Sequence, residues 1–146
     1  MKKFVLIVDD DKTDVMAIQR SLKDMIEAKE IELESYSDGE EILAKLKEKI
    51  STGKLSEIPF PYMMFLDLNM PRVDGFEVLE AIRKDPILKP MVVFVLTTSN
   101  NPVDIARAYQ QCIAGYLVKS DLGNRYEILK DLVKAYSKAV VPPIIE

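Results

Sequence analysis

The chain of 146 residues contains no histidine and a single cysteine. Without an imidazole no serine–histidine triad can form, and the usual zinc sites go with it. One cysteine excludes an internal disulfide and suits a reducing, cytoplasmic setting, which is where we expect the protein. With no histidine to activate it, Cys112 reads as a small core residue rather than a nucleophile. Long apolar runs are also missing, so nothing approaches a membrane span. The opening MKKFVLIVDDD imitates a secretory start, but its apolar run, Phe4 to Val8, is too short and stops at three aspartates. Nor is there an excess of positive charge: 20 basic against 24 acidic residues give a formal net charge of −4, without the basic footprint of a nucleic-acid binder. What is present is the length and composition of one domain with a full hydrophobic core.

Five strands can be read, at Phe4–Val8, Ile31–Ser35, Tyr62–Leu66, Met91–Leu96 and Tyr116–Val118. Four are nearly continuous apolar runs, as expected of parallel strands covered on both faces. IELES alternates instead, which suits a sheet edge. Five helical patterns lie between and after them. The first, about Thr13 to Ala28, spaces Val15, Ile18, Leu22 and Ile26 by three to four. The second opens with Asp38 and Glu41 as a capping pair. The third follows Gly75 with Phe76, Leu79 and Ile82 and ends near Asp85-Pro86. The fourth has Asn101 as cap and Pro102 at its first position. The last, about Arg125 to Val140, aligns Leu129, Leu132, Val133 and Tyr136. Such alternation predicts an α/β architecture around a parallel sheet. ISTGKLSEIPFP reads as an enlarged surface loop. Pro142-Pro143 ends the last helix, leaving residues 142–146 as a tail to a domain over 1–141.

In open parallel sheets ligands bind beyond the carboxyl ends of the strands. There the first strand ends in Asp9 and Asp10, the third in Asp67, the fourth in Thr97 and the fifth in Lys119. Taken singly, each has a plain structural reading: an Asp after a strand caps a turn, an acidic run is solvated, and TTS fills a strand end. Together, three carboxylates and one ammonium keep a negative excess that a hard divalent cation would relieve. Magnesium needs only one or two carboxylates plus waters. Asp67 could then attack phosphorus and become an aspartyl phosphate, with Thr97 hydrogen-bonding one phosphoryl oxygen and Lys119 neutralising another.

The same segments carry a resemblance. LIVDDDKTD, LDLNMPRVDGFEVL, VLTTS and GYLVKS, in this order, resemble the receiver domain of two-component response regulators over nearly the whole chain. The resemblance implies a doubly wound, five-stranded parallel sheet in the order 2-1-3-4-5 with five helices. It implies Asp67 as phospho-acceptor, Asp10 as direct metal ligand with Asp9 as its indirect partner, and the backbone carbonyl of Asn69 toward a bound Mg2+. Thr97 and Lys119 would bind the phosphoryl group, and Thr97 with Tyr116 would form the switch, changing the surface of the fourth helix, fifth strand and fifth helix. Met70-Pro71 and Asp74-Gly75 shape the turn that presents Asp67. The implied partners are a sensor histidine kinase or histidine phosphotransfer protein and a downstream effector; with no histidine of its own, the chain needs a phosphohistidine donor in trans. DDDKTD is similar to stand-alone regulators paired with phytochrome-type kinases, and the fifth helix could support a homodimer. No output domain is read after that helix, so the expectation is a single-domain signalling protein rather than an enzyme, acting only on its own phosphate.

One position departs from the family, which commonly follows the lysine with a cis proline. Here Ser120 follows Lys119, so either the loop is trans and Lys119 approaches differently, or a costly cis bond to a non-proline residue is held. Other functions fit less well. A haloacid-dehalogenase-type phosphatase needs a second aspartate where Asn69 stands, and an amide cannot protonate a leaving group. A flavodoxin-like carrier would bring a cofactor phosphate against Asp9, Asp10 and Asp11. A receiver that binds its partner without phosphorylation is a third alternative.

Overall fold

The computed structural model describes residues 3–52 and 63–143. Strands β1 (Phe4–Val8), β2 (Glu32–Tyr36), β3 (Met63–Leu66), β4 (Val93–Thr97) and β5 (Gly115–Val118) form one parallel sheet in the order β2-β1-β3-β4-β5. The alternating strand does lie at an edge, and the four apolar runs sit within a residue or two of their expected places. The enlarged loop is helical as far as Ser51, with Thr52 as the helix's C-cap; residues 53–61 of it, like the first residue expected of β3, Tyr62, lie outside the described residues.

Side-chain alternation assigns each strand residue to one of two cores. Leu6, Val8, Val93 and Val95 face α3 (Gly39–Ser51), α4 (Gly75–Lys84) and α5 (Pro102–Tyr109), packing with Ile42, Leu46, Leu79 and Ile82. Val5, Ile7, Phe94 and Leu96 face the other way, onto Ile18, Leu22, Leu129 and Val133 of α1 (Lys12–Ser21), its continuation, and α6 (Glu127–Ala139). Each fully buried aliphatic side chain contributes roughly 1.5–3 kcal/mol by leaving water. Because a one-residue slip would exchange the two cores, this patterning also fixes the register and hence which residue stands at each strand end.

Among the described residues the α-helices number six rather than five. The expected first helix divides at Leu22 into α1 and α2 (Lys23–Glu27), although Leu22 N donates to Ile18 O and Ile26 N to Leu22 O, so helical bonding continues across the bend. The bend lies beside Ser21, whose hydroxyl donates 2.9 Å to the carbonyl of Tyr126. Capping follows the sequence: Asp38 accepts from Glu41 N at 2.8 Å, and Asn101 accepts from Val103 N with Pro102 behind it. The fourth and fifth expected helices are thus α5 and α6. Cys112 corrects another expectation. It is exposed, in a left-handed conformation (φ 56°), because it falls in the turn that reverses the chain after α5. Among the described residues no helix is long and apolar enough to cross a membrane.

Candidate functional site

The rim is built from strand ends. Asp9 extends β1 by donating its amide to Tyr36 O at 3.0 Å, and its side chain, only 1% exposed, accepts the Asp11 amide on Oδ1 at 2.9 Å. Asp11 in turn caps α1, accepting from Thr13 N and Asp14 N at 2.9 and 3.2 Å. The three consecutive aspartates therefore do different things: Asp9 is buried, Asp10 is exposed, and Asp11 starts a helix.

Asp67 ends β3 in the same way, its amide donating to Val8 O at 2.9 Å while its carboxylate lies buried, with Oδ1 accepting from Asn69 N at 3.3 Å. The turn that follows must bring α4 directly back onto the strand. A Cβ on Gly75 would stand 2.3 Å from the Asp67 carbonyl oxygen and 2.7 Å from Leu68 Cα, so only glycine permits this approach. Asp74 and Glu77 close a reciprocal capping box around it. The segment after Asp67 is thus fully used in fixing the carboxylate's place.

At the end of β4, Thr97 is fully buried whereas Thr98 is exposed. Tyr116, half-buried on β5, donates its hydroxyl to the Ser99 carbonyl at 3.0 Å. Lys119 Nζ lies 2.7 Å from Asp9 Oδ2, 2.7 Å from Asp14 Oδ2 and 3.9 Å from Asp67 Oδ2. The peptide bond to Ser120 is trans, as are all others among the described residues, and a 3-10 turn (Lys119–Asp121) begins at once. Of the two geometries left open, the trans loop is the one adopted, and Lys119 still reaches the rim.

The charges are tightly coupled. Burial pushes the Asp67 carboxyl up to about 6, and the Asp9 charge adds to this, against the pull of Lys119, the Asn69 amide and the Thr97 hydroxyl. Burial likewise raises Asp9, with Lys119 and the Asp11 amide opposing. Lys119 is driven the other way: burial favours its neutral form, but the hydrogen bond it donates to Asp14 and the adjacent Asp9 carboxylate outweigh it and hold the ammonium charged. Carboxylate oxygens of Asp9, Asp10 and Asp67 lie within 4.8 Å of one another. Asp9 Oδ2 is buried without a hydrogen bond, since Lys119 approaches it at ion-pair distance but outside hydrogen-bond alignment. A buried, under-coordinated oxygen in a cluster of hard oxygen donors is what a divalent cation requires, so these residues fit one.

Two residues here were not singled out from sequence. Asp14 reads as an ordinary acid in a helix's first turn, and Tyr126 falls at the start of the last helical pattern, outside its apolar stripe. In the fold Asp14 binds Lys119, and the Tyr126 hydroxyl donates to Asp14 Oδ1 at 3.3 Å. Their separations along the chain, 105 residues between Asp14 and Lys119 and 112 between Asp14 and Tyr126, leave no local signal of either contact.

With the geometry in place, comparison with known proteins can be set against it. A family model described as the response regulator receiver domain matches residues 5–130. Response regulator Rcp1 of Synechocystis sp. is 38% identical over 132 residues, covering 90% of this chain and 82% of that protein. Among solved structures, the Mn(2+)-bound form of Rcp1 aligns with a TM-score of 0.76 at 33% identity, covering 97% of this chain and 99% of that one. The phosphorylated cyanobacterial phytochrome response regulator RcpA aligns with a TM-score of 0.81 at 31% identity, covering 99% and 100%. Sheet order, rim and matched length all lead to one assignment: the chain belongs to the response regulator receiver domain family.

Proposed function

We propose that Asp67 accepts a phosphoryl group from a histidine kinase or histidine phosphotransfer protein in a magnesium-dependent reaction. Receiver domains of response regulators are signalling proteins that partner with such donors. The observation that carries the reading is the buried rim itself, where Asp67 stands among like charges beside an under-coordinated carboxylate oxygen. An Asp67 carboxylate oxygen attacks phosphorus, the P–N bond to the donor imidazole breaks, and its electron pair stays on that nitrogen. Asp10, Asp67 and the Asn69 backbone carbonyl would hold the cation, with Asp9 acting indirectly. Bound there, the cation would neutralise charge on the phosphoryl oxygens. Thr97 and Lys119 would donate to the remaining oxygens; the 3.9 Å between Lys119 Nζ and Asp67 Oδ2 supports this for the lysine.

Signalling would follow from Thr97 moving toward the new phosphate and Tyr116 exchanging its bond to Ser99 for another position, which alters the surface of α5, β5 and α6 for an effector. The receiver unit is proposed to span 1–141. RcpA is described as a phytochrome response regulator, and this supports a phytochrome-type kinase as the donor; α6 would supply the surface for a homodimer. Intact mass after incubation with Mg2+ and acetyl phosphate tests the chemistry. We expect one added phosphoryl group in the parent and none in Asp67→Ala or in chelator. An unmodified parent that also stays unmodified with a cognate kinase would favour a phosphorylation-independent binding module instead.

A further inference from the structure

Lys119 has three N–H donors and three carboxylates around it, and the distances are unequal. Two of those acids, Asp9 and Asp67, belong to the carboxylate cluster that fits a cation; the third, Asp14, does not. Asp14 is set in the first turn of α1, where its own amide is tied to the Asp11 cap, and its second oxygen receives the Tyr126 hydroxyl. Tyr126 is itself fixed: 8% exposed, left-handed at φ 55°, with its carbonyl bound by Ser21 and its amide by Gly123 O. Asp14 is therefore a rigid anchor reaching the ammonium from outside the cluster.

We propose that Asp14, backed by Tyr126, is a positioning residue that holds Lys119 off Asp67, so that the cluster's carboxylates stay available to a divalent cation until a phosphoryl group arrives. The inference rests on the reading of the rim as a cation-dependent phosphoryl site. The reason is competition. An ammonium and a divalent cation both neutralise the same carboxylates, and Lys119 already stands 2.7 Å from Asp9 and 3.9 Å from Asp67. If Asp14 is replaced by a neutral residue, Asp9 and Asp67 are the anions left beside Lys119 among the described residues, and Lys119 closes on them. If Asp14 is intact, one N–H is committed outward to Asp14 Oδ2, and the ammonium stands 3.9 Å from Asp67.

Mn2+ affinity of the full chain, measured by calorimetry on parent, Asp14→Asn, Asp14→Glu, Lys119→Met and the Asp14→Asn/Lys119→Met double variant, separates the possibilities. Asp14→Asn should weaken binding about three- to tenfold, the size expected of charges in direct contact. Asp14→Glu should recover most of that loss. In the Lys119→Met background Asp14→Asn should change the affinity by less than about twofold, because the competitor is gone. An equal loss in both backgrounds would overturn the proposal, since Asp14 would then act on the ion by its own charge. A parent that binds Mn2+ no better than Asp14→Asn would also overturn it, whereas a parent that binds no Mn2+ would remove the reading of the rim and the inference with it. Circular dichroism on each variant identifies any that fails to fold, and for such a variant Tyr126→Phe, expected to weaken binding in the same direction by a smaller factor, decides in its place.

Discussion

Lys119 and Arg83 are both cations drawn partly or wholly out of solvent, at opposite ends of the same sheet. Lys119 lies beyond the carboxyl ends of the strands among Asp9, Asp14 and Asp67. Arg83, in the last turn of α4, lies at the other end, where β4 and β5 begin. It donates to four backbone carbonyls: Gln111, Lys89 and Met91, each at 2.7 Å, and Cys112 at 3.1 Å. Around Arg83 the acceptors are neutral and each is satisfied, so the guanidinium fastens two loops that feed adjacent strands. Around Lys119 the acceptors are charged, exceed the cation in number, and leave Asp9 Oδ2 without a hydrogen bond. A saturated cation holds a fold together. An outnumbered one leaves capacity for something the chain does not itself supply.

This contrast can be broken by substitution. The largest effect on stability is expected from Lys119→Met, which strands the buried Asp9 carboxylate beside Asp67; the loss should be about 3–5 kcal/mol in metal-free buffer. Mg2+ should restore part of it, because a cation then replaces the lysine, and denaturant melts with and without Mg2+ measure both. Arg83→Ala should cost about 2–3 kcal/mol by freeing carbonyls that water can only partly satisfy. That loss should be indifferent to Mg2+, and phosphorylation should survive in the folded fraction. If Mg2+ rescued both variants equally, the two ends would not differ as described.

Asp67→Asn should act in the opposite direction. Asp67 titrates near 6 in the fold against 3.8 for a free carboxyl, so the folded state holds its proton more tightly than the unfolded chain. The parent therefore loses stability as pH rises from 3.8 to about 6, and above that range it carries the full penalty. The variant escapes it and should be more stable at neutral pH by about 1–3 kcal/mol without metal, the upper figure being the whole shift at ~1.4 kcal/mol per pH unit. Thermal melts of both proteins across that pH range should diverge; parallel curves would contradict the buried, repelled state of this carboxylate. The smallest effect belongs outside both charge clusters. Asp38→Ala removes the cap of α3 and should cost about 1 kcal/mol without changing the response to Mg2+.

What the sequence made legible follows from the same physics. The residues at strand ends could be anticipated because a buried parallel strand is an apolar run with a clear last residue, and Asp9, Asp67, Thr97 and Lys119 each follow or end one; the strand order was legible only through the family resemblance. Gly75 was legible as part of a turn, but the need for glycine there is visible only where α4 meets the Asp67 carbonyl. Asp14 was hidden because a first-turn acid is favourable on any helix, so its local role masks its distant one. Cys112 was misplaced because its exposure depends on the turn after α5 and on Arg83 holding its carbonyl, neither of which hydropathy records. The bend at Leu22 has no glycine or proline to announce it.

The central claim is that the outnumbered cation marks the place of a phosphoryl acceptor and that the acceptor is Asp67. Reduction of the phosphorylated protein with borohydride converts an acyl phosphate on aspartate to homoserine, which peptide mass spectrometry locates by residue. Homoserine at position 67 alone, dependent on Mg2+ during phosphorylation, is the predicted result. Homoserine at position 9 or 10, or at 67 irrespective of Mg2+, would contradict the account.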